Sequence, residues 1–405
     1  VLFLTHLLAL DLELFELEYR VKTMIYADYN ATTPLSEGAK KGMAQAMELW
    51  GNPSSSHKSG RKSLELLNNS RESVAALVGV SPNDVVFTSG GSEANTLALM
   101  GSALAVGEGF RLLTSQVEHS SIKDTLPVIE KLGGTIKYLP VNPEGQISLL
   151  ELEQILESFK PHLVSLMTAN NETGVIFPIP EILSLCEKHG SVLHTDAVQG
   201  LGKLNPSFYQ SAHLVSISAH KIYGPKGAGA LLVKKGVKLV STHYGGSQEI
   251  KRRGGTENVI GIAGFGAAAR EVLISSPTQE LQGARDHFEQ LLARGLDGIT
   301  IQGSKQPRIP NTSNIRFNDI ASEVLLGALD LDGICVSAGS ACSSGSISPS
   351  HVLLGMGFSE KEAKECVRFS WGKSSYLNTV EEVAQKVIAH VNRIRARNSL
   401  KESSK

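Results

Sequence analysis

Lys221 stands where a lysine can become a nucleophile. It follows the apolar alternating run Leu214, Val215 and Ile217 and precedes a Gly/Pro turn in SAHKIYGPKG, Ser218 to Gly227, which puts it at a strand end. Partial burial there would strip water from its ammonium, lower its pKa and ready it to form a Schiff base with an aldehyde. Read by itself, it fits better as one solvated cation among 39 Lys and Arg residues. Asp196, closing the run in HTDAVQ, could hold a ring nitrogen protonated, because ligands bind at the carboxyl ends of parallel strands. Taken alone, it fits better as a helix N-cap. His119 in VEHSSI follows another strand and could stack on a ring or carry protons, although a single histidine is more often structural.

Cys342 lies in SAGSACSSGSISPS, Ser337 to Ser350, a composition that predicts an exposed, mobile loop. A structural cysteine would have apolar neighbours, so a reactive thiol is the better reading. Cys186, on a helical stretch, reads as inert core. Arg368 is enclosed in the short apolar run Val367-Arg368-Phe369, where a guanidinium wants an anion and suits a carboxylate bidentately. FTSGGSEAN, Phe87 to Asn95, reads as strand, Gly-Gly turn and helix. Free amides at such a helix start form a phosphate seat to which Ser92 can add a hydroxyl, and an ordinary strand-to-helix turn has the same signature. ANNETG puts Asn170 and Asn171 at a strand end, where asparagine often serves turn geometry. Two patterns carry nothing. GFGAAA at Gly264 does not open the helix of a first strand–helix–strand unit, and Cys186-x-x-His189 lacks a second ligand pair.

The elements that must position these residues follow from periodicity. Strands are predicted at Val85–Phe87, Arg111–Thr114, Thr135–Leu139, Leu163–Met167, Val192–Thr195, Leu214–Ser218 and Gly229–Val233. Helices are predicted at Glu37–Leu49, Arg61–Val78, Glu93–Leu104, Ser121–Leu132, Leu149–Phe159, Pro180–Lys188 and Ile260–Leu273. Such alternation makes an α/β fold around a mostly parallel sheet covered on both faces. After Ser275-Ser276-Pro277 a smaller α/β region is expected, with strands at Ser313–Phe317, Ile334–Ser337 and Val367–Ser370 and a last helix from Val380 to about Arg397. Residues 37–275 then form the large domain, residues 24–36 with 276–398 the small one, and 399–405 a disordered tail.

The formal net charge of −1 gives no reason to expect a nucleic-acid partner or an anionic membrane. Cys186, Cys335, Cys342 and Cys366 are too few for a disulfide framework, so a reducing, cytoplasmic setting fits. Residues 1–23 are rich in Leu and Phe but carry Asp11, Glu13, Glu16 and Glu18, which argues against a secretory or mitochondrial signal and against a membrane span. The folded unit is expected to start near Met24.

Taken in order, YADYNATTPL, GNPSSSH, FTSGGSEAN, VEHSS, ANNETG, HTDAVQ, SAHKIYGPKG, GGSQEIKRRGGTEN, IPNTSN, SAGSACSS and VRFSWG resemble the cysteine desulfurases. These are pyridoxal-phosphate enzymes of the fold-type I, class V aminotransferase-like group. The resemblance runs from Ile25 to about Tyr376, and it extends to the selenocysteine lyases. It implies Lys221 as the Schiff-base lysine, Asp196 as the partner of the pyridinium nitrogen, and His119 as the imidazole stacked on the ring and a candidate proton carrier. It places Gly91, Ser92, Ser218 and His220 at the phosphate, Asn171 and Gln199 at the ring oxygen, and Thr256 at the phosphate of a second subunit in a homodimer. Arg368, with Asn171, would bind the substrate carboxylate, and Cys342 would take the sulfur.

What the resemblance implies is conversion of L-cysteine to L-alanine, with sulfur passed from a Cys342 persulfide to an acceptor protein such as an iron–sulfur scaffold or to a thiolation pathway. L-selenocysteine lyase activity is the alternative, and a transaminase of the same fold or a non-catalytic delivery scaffold are more remote ones. No metal ligands are expected. Lys373 stands where the family commonly has Arg, and Ser343 follows the cysteine where many members have Thr.

Overall fold

The computed structural model describes residues 24–275, 278–339, 348–373, 375 and 377–402. The 1–23 extension and Cys342 lie outside the described residues, as do 403–405. The strands are β1 (Ile25–Tyr26), β2 (Val85–Thr88), β3 (Arg111–Ser115), β4 (Thr135–Leu139), β5 (Leu163–Ser165), β6 (Val192–Asp196), β7 (Leu214–Ser218), β8 (Gly229–Val233), β9 (Ile299–Ile301), β10 (Thr312–Phe317), β11 (Ile334–Cys335) and β12 (Cys366–Ser370).

A seven-stranded sheet runs β2-β8-β7-β6-β5-β3-β4, and β8 alone is antiparallel to its neighbours. The carboxyl ends of β2, β3, β5, β6 and β7 therefore share one edge. Two-residue periodicity sends successive side chains to opposite faces. Val85, Phe87, Leu113, Val215 and Leu232 enter one apolar core, while Val86, Leu112, Leu214 and Leu231 enter the other. Both faces are thus covered, as a mainly parallel sheet requires.

The second part of the chain builds a three-stranded antiparallel sheet, β12-β10-β9, and a parallel pair, β1 with β11. Its core holds Phe288, Phe317, Phe369 and Trp371, and Ala27 from the start of the described chain joins it. The Phe288 ring lies 4.8 Å from that of Phe369, tilted by 53°, and meets Trp371 edge-on at 5.1 Å.

Several elements depart from the sequence reading. The helix expected over Ser121–Leu132 is two short ones, Ser120–Lys123 and Leu126–Lys131, because Pro127 has no N–H to continue the first. Thr278–Gly295 and Ser322–Leu331 are helices that were not expected. The first buries Leu281, Ala284, Phe288 and Leu292, a spacing of three and four that was readable. β11 ends at Cys335, and Ser337 makes only an isolated bridge to Arg368. The last helix, Leu377–Glu402, starts before Val380 and continues past Arg397 into the residues expected to be a tail. Ser399 Oγ donates back to the Arg395 carbonyl at 3.1 Å, and good helix formers follow it. Among the described residues no single helix is long and apolar enough to cross a membrane.

Candidate active site

A cavity of about 470 Å³ opens at the carboxyl edge of the large sheet. Its wall includes Gly91, Ser92, His119, Asn171, Asp196, Gln199, Ser218, His220, Lys221 and Arg368. Residues scattered over most of the chain are thus brought to one place. Thr256 is not on this wall, and it is exposed.

Lys221 ends a single 3₁₀ turn directly after β7. Its Nζ donates to the carbonyl oxygens of Asn30 at 2.6 Å and Ala31 at 2.7 Å. Burial and then the Arg368 charge push its pKa down to about 8, partly opposed by Asp196 and Asp28. A side chain held this way offers a free amine near neutral pH, which makes it a competent nucleophile and base.

The Gly-Gly turn after β2 starts the helix Gly91–Val106 with no side-chain cap, so its first amides remain for a ligand. A Cβ on Gly91 would lie 2.8 Å from Val198 Cγ2, and one on Gly229 would lie 2.7 Å from the Gly90 Cα. Close packing of the turn against β8 therefore requires glycine at 229, whereas at 91 a side chain would crowd Val198, which follows β6. Ser218 Oγ is buried and has no partner among the described residues, and the same holds for Asn171 Oδ1. Such atoms are costly unless something meets them. His220 lies 3.2 Å from Thr32 Oγ1, and burial, followed by the neighbouring Lys221 and Lys226, pushes its pKa down to about 4. The loop bearing Thr256 is tied to this turn through Arg253 Nε, which donates to Glu93 Oε1 at 2.9 Å.

Asp196 Oδ1 accepts from the Val198 amide at 3.0 Å and so closes a turn, but no helix follows it, which corrects the helix-cap reading; Oδ2 accepts from Asn95 Nδ2 at 2.7 Å beside the cavity. The two asparagines of ANNETG divide the work. Asn170 Oδ1 accepts from the amides of Glu172 and Thr173, both at 2.9 Å, and so closes the turn, whereas Asn171 faces the cavity.

Arg368, on β12, donates from Nη2 to Asp28 Oδ1 at 2.7 Å and from Nη1 to the Asn171 carbonyl at 3.0 Å. Its anion partner in the protein is thus Asp28, and its Nε has no partner among the described residues. Lys373 places its ammonium 4.8 Å from the centre of the Tyr223 ring. Cys186 is wholly buried, and burial pushes its thiol up to about 12, so it is inert.

Sequence reasoning missed Asn30 and Lys203. Asn30 gives its carbonyl to Lys221 and to Gln199 Nε2 at 3.0 Å, and its Nδ2 donates to Thr312 Oγ1 at 2.8 Å. Lys203 is enclosed, and among the described residues no carboxylate pairs with it. Its Nζ donates to Gln199 Oε1 at 2.6 Å and Asn30 Oδ1 at 3.1 Å, and burial holds its pKa well below the usual lysine range. The only signal was Asn30 inside YADYNATTPL, a polar residue in a patterned segment to which no chemistry could be attached. Among the described residues no cluster of His, Cys, Asp and Glu is arranged to hold a metal.

Residues 25–385 match the Aminotransferase class-V family. The cysteine desulfurase IscS of Dictyoglomus turgidum is 38% identical over 382 residues, covering 92% of this chain and 97% of that one. The cysteine desulfurase of Trichormus azollae is 40% identical over 378 residues, with 92% and 94% covered. Among solved structures, a NifS-like protein from Rickettsia africae superposes with a TM-score of 0.82 at 32% identity, covering 91% of this chain and 99% of that one. SspA, solved in complex with cysteine, gives a TM-score of 0.76 at 31% identity, with 87% and 99% covered. The chain belongs to the class-V aminotransferase family and, within it, to the pyridoxal-phosphate-dependent cysteine desulfurases.

Proposed function

We propose that the chain converts L-cysteine to L-alanine and keeps the sulfur as a persulfide on Cys342. The observation that carries this reading is the single cavity wall shared by a lysine with a lowered pKa, a buried carboxylate, a helix start and a buried arginine. The protein atoms fit pyridoxal phosphate. Ser218 Oγ and Asn171 Oδ1 lack partners, and the uncapped helix start at Gly91 and Ser92 suits a phosphate. Bound there, the cofactor supplies the electron sink that lets the carbon–sulfur bond break.

The protein's own residues supply the rest. Gly91, Ser92, Ser218 and His220 hold the phosphate, Asn171 and Gln199 the ring oxygen, Asp196 the ring nitrogen, and His119 the ring face. Arg368, with Asn171 beside it, takes the substrate carboxylate. Lys221, whose pKa lies near 8, removes the α-proton as general base. The Cys342 thiolate forms a bond to the substrate sulfur as the Cβ–S bond breaks, and the carbon is reprotonated to give alanine. Gly339 lies on the cavity wall, and the segment bearing Cys342 follows it in sequence, which supports that role.

Residues 37–275 serve as the cofactor-holding domain, and residues 24–36 with 276–398 as the one bearing Cys342. Thr256, exposed and off its own cavity, reaches the phosphate of a second copy in a homodimer. The acceptor is a sulfur-carrying protein such as an iron–sulfur scaffold, in the cytoplasm, in keeping with the few cysteines. The test is mass spectrometry of Cys342 after exposure to L-cysteine. A gain of one sulfur atom on that residue is expected, and an unmodified thiol with alanine still formed would defeat the persulfide route. Running L-selenocysteine in parallel with Cys342→Ala distinguishes a lyase that does not use the thiol.

A further inference from the structure

We infer that Asn95 is a positioning residue that fixes the tautomer of His119, with the ring proton on Nε2, while it also holds the Asp196 carboxylate. The inference deepens the proposed reaction and rests on it for the catalytic consequence, though not for the tautomer itself.

Asn95 sits on the helix Gly91–Val106 and is buried. Its Nδ2 lies 2.7 Å from Asp196 Oδ2 and 2.9 Å from Ser121 Oγ. A carboxylate only accepts, so the nitrogen and not the oxygen of the amide must face it. Both amide hydrogens are thereby used, one on Asp196 and one on Ser121. The serine hydroxyl, having accepted from Asn95, keeps its proton and one lone pair, and it is the main-chain amide of Ser121 that makes His119 Nδ1 an acceptor and so turns the hydroxyl proton toward it. His119 Nδ1 lies 2.8 Å from that hydroxyl, and the backbone amide of Ser121 donates to the same nitrogen at 3.1 Å.

Two donors aimed at one ring nitrogen leave it without a proton, so the neutral imidazole carries its hydrogen on Nε2. The result divides labour at the site. His119 presents a donor at Nε2, and Nδ1, where it would have to act as a base, is capped by Ser121. Base work on the substrate therefore stays with Lys221. One amide thus links a group proposed for the ring face to the one proposed for the ring nitrogen.

The test is nitrogen NMR of the protein as purified, with ring-labelled histidine, His119 assigned through His119→Gln, and cofactor content read from absorbance. A protonated Nε2 and a bare Nδ1 are expected. Asn95→Ala and Ser121→Ala leave the Ser121 main-chain amide on Nδ1 but release or remove the second donor, so each should admit a detectable share of the Nδ1–H tautomer and lower kcat by up to roughly tenfold, about one hydrogen bond's worth, with KM little changed. Ser121→Thr, which keeps a hydroxyl, should restore both the spectrum and the rate. If Asn95→Ala does not fold, the Ser121 pair makes the same comparison. A proton on Nδ1 in the unsubstituted protein would overturn the inference, as would an Nε2–H ring indifferent to Ser121→Ala. Protein that shows the Nε2–H ring but never takes up pyridoxal phosphate would support the tautomer and defeat the desulfurase reading.

Discussion

Along the carboxyl edge of the seven-stranded sheet, each site residue follows its own strand within a few positions: His119 after β3, Asn171 after β5, Asp196 at the end of β6, Lys221 after β7. On β12 the arrangement differs. Arg368 sits mid-strand, and its guanidinium is aimed by Asp28 and by the Asn171 carbonyl, both far away in sequence. The register of β12 against β10, with Arg368 opposite Asn314, adds a third distant constraint. Edge residues take their positions from the strand ends that carry them, even where distant groups such as the Asn30 and Ala31 carbonyls orient the side chain, so a change there should remove chemistry without removing the scaffold. The β12 residue depends on two parts of the chain meeting, so a change there disturbs both binding and packing.

The largest test of that contrast is Lys221→Ala. Turnover of L-cysteine should fall by at least ~10²–10⁴, the usual worth of a positioned general base. The fold should persist, with an unchanged circular dichroism spectrum. Loss of the fold would show that the edge is not separable from its chemistry. Phe288→Ala attacks the other region through its core. It should lower unfolding stability by ~3–5 kcal/mol in a denaturant titration, the typical cost of emptying a buried aromatic site. If pyridoxal phosphate absorbance survived unchanged in that variant, the edge would be shown to hold its cofactor independently of the second core.

Arg368→Lys retains the charge but loses the fork that spans Asp28 and Asn171. KM for L-cysteine should rise roughly tenfold, the worth of one charge-assisted hydrogen bond, with kcat much less affected. An effect on kcat alone would move Arg368 out of the substrate-binding role. The smallest effect is in pH dependence. Only the free amine of Lys221 adds to an aldehyde, so capture of pyridoxal phosphate by stripped protein should quicken as pH rises to about 8 and then level off. A rate still climbing at about pH 10, where ordinary lysines titrate, would mean that burial and Arg368 do not set its state.

Much of the edge was legible because its signals are local. The bounds of β4, β7 and β8, and of the helix Leu149–Phe159, agree with the sequence reading. Apolar alternation ends at or near residues that line the cavity, and glycines mark the turns. The second region was less legible. The helices Thr278–Gly295 and Ser322–Leu331 went unread despite apolar spacing in the first of them, and Pro127 divided a helix that periodicity joined. At the chain end a polar composition suggests disorder, yet helix propensity carries the last helix on to Glu402. Asn30, Asp28 and Lys203 were invisible as site residues, since nothing beside them in the chain states what they meet.

The sequence by itself determined the order of the motifs, the strand ends on which Lys221, Asp196 and His119 stand, and the family to which they point. For Cys342 it remains the main basis of the reading, joined only by the place of Gly339 on the cavity wall. Tertiary structure decided what surrounds those residues and which partners they meet. It assigned turn closure to Asn170 and the cavity to Asn171, gave Arg368 a partner in Asp28, and enclosed Lys221 under the carbonyls of Asn30 and Ala31. The physical reason is distance. Backbone periodicity and turn chemistry act between near neighbours in sequence, whereas desolvation, ion pairing and hydrogen-bond choice act between atoms that only the folded chain brings together.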